Sequence, residues 1–121
     1  MSADEERFRK GVEVAQRLFG PLLSGASMPE DFRRYTVAHL FGDVWQGEAL
    51  AIQERSLLTC SVLVALNREG EQRLHFNGAK NLGIPRQKLE ALITHVAHYA
   101  GWPVGVSAFR VLEEVWPAAG K

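Results

Sequence analysis

The chain has 121 residues, 46% of them hydrophobic, one cysteine, and 14 Lys plus Arg against 14 Asp plus Glu, for a formal net charge of zero. That length and apolar content suit a single folded domain spanning 1–121 and argue against global disorder. Balanced charge leaves no electrostatic footprint for nucleic acid or an anionic membrane, and the lone Cys60 rules out an internal disulfide framework.

The opening stretch "MSADEERFRKG" is charged and does not read as a secretory leader. A capping box of Ser2 and Glu5 precedes Phe8, Val12, Ala15, Leu18 and Phe19, which recur at helical intervals; "GPLLSG" ends that helix. Ser27 and Glu30 offer a second start signal, with Phe32, Tyr35, Val37, Leu40 and Phe41 as its apolar positions to 41. A third helix is expected over 53–67. Its run "LLTCSVLVAL" at 57–66 is too short to cross a bilayer, yet it has little polar face. One side is therefore expected to pack within the chain and the other against a second chain.

"NREG" marks a turn, and 71–82 resumes helically with Leu74, Ala79 and Leu82 inward. Gly83 reads as the residue just past the helix end, and Pro85 as the start of the next helix, 85–100. Leu89, Leu92, Ile93, Val96 and Tyr99 supply its apolar stripe. Gly101 and Pro103 interrupt, and a last helix covers about 104–116. The fold class is all-α, with about six helices.

Groups able to move protons cluster in "THVAHYAGWP" (94–103). His95 and His98 are three apart and His95 and Tyr99 four apart, so one helical face can carry them, extended by Trp102. Histidine exchanges protons best near neutral pH. His98 and Tyr99 are equally well read as amphipathic residues that satisfy hydrogen bonds. His75 lies in "EQRLHFNGAKNLG" with Arg73 and Asn77 nearby. Glu54 and Arg55 open the most apolar helix; either they are solvated near a helix N-terminus, or Glu54 reaches the mouth of a pocket to orient an imidazole. A His-x-x-His pair offers two metal ligands, without a third or a cysteine cluster, so no metal is expected. Cys60 sits among Leu58, Val62 and Val64 and reads as an inert core residue.

The segments "DFRRYTVAHLFGDVW", "ERSLLT", "LHFNGAKNLGIPRQKLEALITHVAHYAGWP" and "SAFRVLEEV", in this order over nearly the whole chain, resemble the carboxymuconolactone decarboxylase family, whose superfamily includes alkyl hydroperoxidase D-like proteins. The hydroperoxidase branch carries a Cys-x-x-Cys pair where this chain has Arg68 and Glu71, and its acidic residue falls at Ser56. Glu54 matches the acid of the decarboxylase-like branch. A disulfide-cycling peroxidase needs an attacking and a resolving thiol, which Cys60 cannot supply alone.

The resemblance implies a cofactor-independent decarboxylase of a lactone or related keto acid in aromatic compound degradation. In that role His75 is the first choice for proton transfer or enolate stabilisation, His95 the second, and Glu54 the orienting or acidic group. Arg55 or Arg73 would contact the substrate carboxylate, with Tyr99 and Trp102 lining the pocket. With the apolar run of the third helix it also implies a homo-oligomer, a hexamer by preference, in which different subunits could contribute pocket contacts; the single cysteine and the charged N-terminus point to the cytoplasm. Two alternatives are a hydroperoxidase D-like thiol oxidoreductase and a non-catalytic helical oligomeric binding protein. The second of these expects His75, His95 and Glu54 in separate environments.

Overall fold

The computed structural model of the protein describes residues 2–20 and 27–119. Among the described residues there are six α-helices and no strand, as the sequence periodicity predicts, and they form two compact units, one up to Ile52 and one from Gln53 onward.

The first unit opens with α1 (Ala3–Phe19). Its cap is the predicted one: Ser2 Oγ accepts the Glu5 backbone N–H at 3.1 Å, and Asp4, Glu5 and Glu6 set negative charge at the positive end of the helix. The buried face is Gly11, Val14, Ala15, Leu18 and Phe19. Phe8 and Val12, expected on that stripe, are only half-buried. Beyond Gly20, the predicted stop at 21–25 lies outside the described residues.

Pro29, not Ser27, holds the N-cap position of α2 (Glu30–Arg34), and no side chain caps it. This short helix runs directly into a π-helical segment, Tyr35–Phe41. The wider turn changes which residues face inward. Val37 and Phe41 are buried, whereas Phe32 and Tyr35, each 58% exposed, and Leu40 point outward against the α-helical expectation.

Gly11 explains how the two elements approach so closely. A Cβ built there would lie 1.8 Å from the Val37 carbonyl oxygen, and one on Gly42 would lie 2.0 Å from the Arg7 carbonyl oxygen. Backbone thus meets backbone at both points. Phe19, Phe41 and Trp45 continue the core, the last from a single 3₁₀ turn, Val44–Gln46, with ring centroids 5.8 and 5.6 Å apart in sequence.

The second unit contains α3 (Ile52–Ala65), α4 (Glu69–Asn81), α5 (Arg86–Ala100) and α6 (Trp102–Val115). Ser56, Cys60 and Val64 are the buried face of α3, while Leu58, Val62 and Leu66 are 52, 55 and 65% exposed. The apolar excess read in the sequence therefore lies on the outer side of the helix. Asn67 at φ 57° turns the chain toward α4, and Gln72 Nε2 donates to the Leu63 carbonyl at 3.1 Å to tie that turn down.

Helix α4 closes in a Schellman arrangement. Gly83, at φ 79°, donates to Lys80 O at 3.0 Å, and Ile84 donates to Ala79 O at 3.1 Å. Gln72, Phe76, Gly78 and Ala79 face inward, and Leu74, expected inward, is half-buried. Leu89, Ile93 and Ala97 are the buried stripe of α5. Tyr99, expected on that stripe, is 82% exposed.

Gly101 at φ 115° separates α5 from α6, with Pro103 in the first turn of α6. Gly105 lets the two helices meet, since a Cβ there would be 2.7 Å from the Ala97 Cβ. Arg86 fastens their far ends by donating to Glu90 at 2.5 Å, to Glu113 at 2.9 Å and to the Trp116 carbonyl at 2.6 Å. Its side chain is only 16% exposed, so water competes weakly for these bonds. Among the described residues no helix is long and apolar enough to cross a membrane.

Candidate functional site

Helix α5 turns its buried stripe inward, and its opposite side carries His95, His98 and Tyr99 outward. One turn of helix brings His95 and Tyr99 into a tilted ring contact, centroids 5.0 Å apart. The pair forms a ridge between two depressions. On one side, an open depression of about 440 Å³ is lined by Ser61, Val62 and Ala65 of α3 with His95, Val96, Tyr99 and Ala100 of α5. On the other, about 790 Å³ is lined by Gln87, Glu90, Ala91, Thr94, His95, His98 and Tyr99 of α5 and by Phe109 of α6. The first is almost wholly apolar; the second mixes polar groups with the apolar surfaces of Ala91, Tyr99 and Phe109.

His98 is held from two sides. Its Nδ1 lies 2.7 Å from the Thr94 carbonyl oxygen, and its ring meets Trp102 edge-on with centroids 5.6 Å apart. A carbonyl oxygen only accepts, so the contact places a proton on Nδ1. Trp102, 62% exposed, is the first residue of α6 rather than a continuation of α5 and lines neither depression; its ring contact with His98 brings it to the histidine face.

His75 has a different environment on α4. It is half-buried, and burial pushes its pKa below the ordinary histidine value, with the Glu71 carboxylate partly opposing. Its backbone carbonyl faces the Cys60 thiol at 3.6 Å. Neither depression lined by His95 includes His75 or Glu54. Glu54, in the first turn of α3, is exposed, and Arg55 beside it is half-buried. Arg73 is drawn to α6, where Nε donates to Glu114 at 2.6 Å and Nη2 at 3.4 Å. A substrate carboxylate would have to compete with that ion pair.

The depressed pKa of His75 has a consequence for stability. An unfolded histidine titrates near 6.5 and the folded one below it, so as pH falls the unfolded chain takes the proton first. Stability is then full above about 6.5 and declines as pH drops from there toward the folded value. Urea melts of wild type and His75→Gln should diverge on this acid side and run parallel above neutrality. Parallel loss in both proteins at every pH would refute the assignment.

The thiol chemistry of the hydroperoxidase branch does not fit. Cys60 is fully buried, and burial pushes its thiol up to about 12, so the nucleophilic thiolate is scarce at neutral pH. Arg68 and Glu71, at the positions of that branch's cysteines, form an ion pair of 2.6 Å with each other. Among the described residues no group of three or more His, Cys, Asp or Glu is placed to hold a metal ion.

The sequence reading missed the specific holding of His98. Only the folded helix shows which carbonyl accepts from it. It also missed Gln72, fully buried on α4, since a polar residue inside a helix reads as solvated until its packing is known.

Comparison with known proteins bears on what this arrangement does. The sequence pattern of the carboxymuconolactone decarboxylase family matches residues 30–114. The chain is 34% identical over 123 residues to the 4-carboxymuconolactone decarboxylase of Acinetobacter baylyi, covering 97% of this chain and 92% of that protein. It is 32% identical over 74 residues to the nitrosuccinic acid decarboxylase of Metarhizium robertsii, covering 61% of this chain and 52% of that protein.

Proposed function

The chain belongs to the carboxymuconolactone decarboxylase family, and from that premise we propose that it is a cofactor-independent carboxy-lyase acting on 4-carboxymuconolactone or a related lactone or keto acid in aromatic compound degradation. The observation that carries this reading is the 34% identity to a 4-carboxymuconolactone decarboxylase along 97% of the chain.

The chemistry asks little of the protein beyond placement and one proton. As the carbon–carbon bond to the carboxylate breaks, carbon dioxide leaves and its electron pair passes toward the lactone carbonyl. That acceptor is part of the substrate. A protein group must then protonate carbon, and donors must stabilise the enolate oxygen. Nitrosuccinic acid, named for the second relative, offers its nitro group as the acceptor in the same way. Both named compounds are dicarboxylic acids, so a carboxylate remains after one is lost.

His95 is assigned as the proton donor to carbon, with Tyr99 against its ring. Covered by a second copy of the chain, the apolar depression beside it would strip water from the departing carboxylate and drive it toward neutral carbon dioxide. His75, neutral near pH 7 because its pKa is depressed, serves as a hydrogen-bond donor to the enolate oxygen, and Glu54 orients it. Arg55 and Arg73 are the candidate carboxylate contacts, and Trp102 closes the edge. Assembly is part of this reading. Leu58 and Val62 of α3 and Leu66 just past its end form an exposed apolar row that suits burial against a second copy, and a homohexamer is the arrangement the resemblance implies. Such packing would let one copy's His75 and Glu54 face another's His95. The match at 30–114 runs through both units, which supports one domain over 1–121, and the single cysteine suits the cytoplasm.

The test is direct. Purified protein incubated with 4-carboxymuconolactone should release carbon dioxide and form the enol-lactone without added metal or organic cofactor. A folded protein that turns over neither this compound nor a related lactone or keto acid would remove the reading.

A further inference from the structure

A dicarboxylate that loses one carboxylate keeps the other, and something must hold it. Arg73 is engaged by Glu114 at 2.6 Å, and Arg86 is engaged by Glu90, Glu113 and the Trp116 carbonyl. The larger depression beside His95 contains another candidate. His98 lines it together with His95, and its Nδ1 is committed to the Thr94 carbonyl at 2.7 Å. Nε2, on the opposite side of the ring, makes no bond of its own among the described residues. The edge contact with Trp102 at 5.6 Å fixes the plane of the ring.

We propose that His98 is the binding residue for the retained carboxylate, presenting Nε2–H of a protonated imidazole to the end of the substrate that does not react, while His95 serves the end that does. The proposal rests on the decarboxylase reading above. Because Nδ1 already carries its proton, the ring gains charge by protonating Nε2 alone, at the atom that meets the ligand. Binding a dianion is therefore accompanied by proton uptake.

The other charged or titratable groups facing this depression from α5 are Glu90, His95 and Tyr99; α6 contributes only Phe109. The Glu90 carboxylate is offset by Arg86 at 2.5 Å, so it opposes an incoming anion less than a bare carboxylate would. Gln87 and Thr94 supply neutral hydrogen-bonding groups around the same space.

Steady-state kinetics on His98→Ala and His98→Arg, both checked for native circular dichroism, decide the matter. For the dicarboxylate substrate, His98→Ala should lower kcat/KM about tenfold or more through KM, the size of a lost charge-assisted hydrogen bond. In wild type KM should climb as pH is raised, because only the protonated ring donates from Nε2. His98→Arg should restore KM and abolish that climb. A packing role against Trp102 would produce neither the pH dependence nor the arginine rescue. Loss confined to kcat, or an unchanged KM in His98→Ala, overturns the proposal.

A binding measurement separates this from failure of the decarboxylase reading. Succinate, a simple dicarboxylate, is titrated into wild-type protein while the imidazole nitrogen resonances are followed. Movement of His98 Nε2 with a raised His98 pKa supports the assignment even if no lactone is turned over. A His98 resonance indifferent to saturating succinate overturns it.

Discussion

Gly11→Ala is expected to cost about 3 kcal/mol or more of stability, at or beyond the upper end of what overpacking usually costs. The new Cβ would sit 1.8 Å from the Val37 carbonyl oxygen, 2.7 Å from its carbon and 3.1 Å from the Gly42 nitrogen. All three are backbone atoms, so no side chain can swing aside. Relief requires α1 to move away from the π-helical segment, and that movement would open the packing of Val14, Leu18, Phe19, Val37 and Phe41, all buried. Gly70→Ala is the matched control, since a Cβ there meets nothing within 4 Å. It lies in the first turn of α4, where alanine should be neutral or stabilising by up to about 1 kcal/mol. Urea unfolding followed by circular dichroism reads both. Two variants of equal stability would show that the close approach has no energetic weight.

His95→Ala is expected to reduce kcat for decarboxylation by about 10² to 10⁴, the usual contribution of a placed general acid. The side chain is exposed and its ring contact is with an exposed tyrosine, so folding should survive with a change within about 0.5 kcal/mol. That separates loss of chemistry from loss of structure. His75→Ala offers a useful contrast. Its imidazole is half-buried, so the same truncation also leaves a cavity, and its stability should fall along with activity. Carbon dioxide release under substrate saturation measures both. An undiminished kcat in folded His95→Ala would remove His95 from the reacting centre.

Much of the fold was legible because its signals are local. The Ser2 cap, the Gly83 closure and the Gly101 break each depend on residues within about five positions of one another, and each is present where the sequence placed it. Inward-facing residues were read less well: Phe8, Val12 and Leu74 are only half-buried, and two further departures have a definite reason. From Tyr35 to Phe41 the chain takes a wider helical turn, so an α-helical spacing assigns the wrong faces. In α5, Tyr99 fits the apolar spacing but falls where no inner surface receives it, and it stands beside His95 in the open.

The candidate site divides in the same way. His95, His98, Tyr99 and Trp102 were grouped by helical spacing alone, and the structure places them along one exposed side, in ring contacts of 5.0 and 5.6 Å. Spacing could not show that Arg73 spans 41 positions to reach Glu114, because an ion pair between distant helices is set by their packing.

By itself, the sequence determined six helices, their stops, the absence of a thiol pair and the surplus of apolar surface on α3. These follow from hydrogen bonding between near neighbours and from composition. Only the tertiary structure decided that His75 is desolvated and that His95 opens onto two unlike depressions, whereas the burial of Cys60 was already legible from its apolar neighbours. Burial and cavity shape arise where helices distant in sequence meet, and no local pattern encodes that meeting.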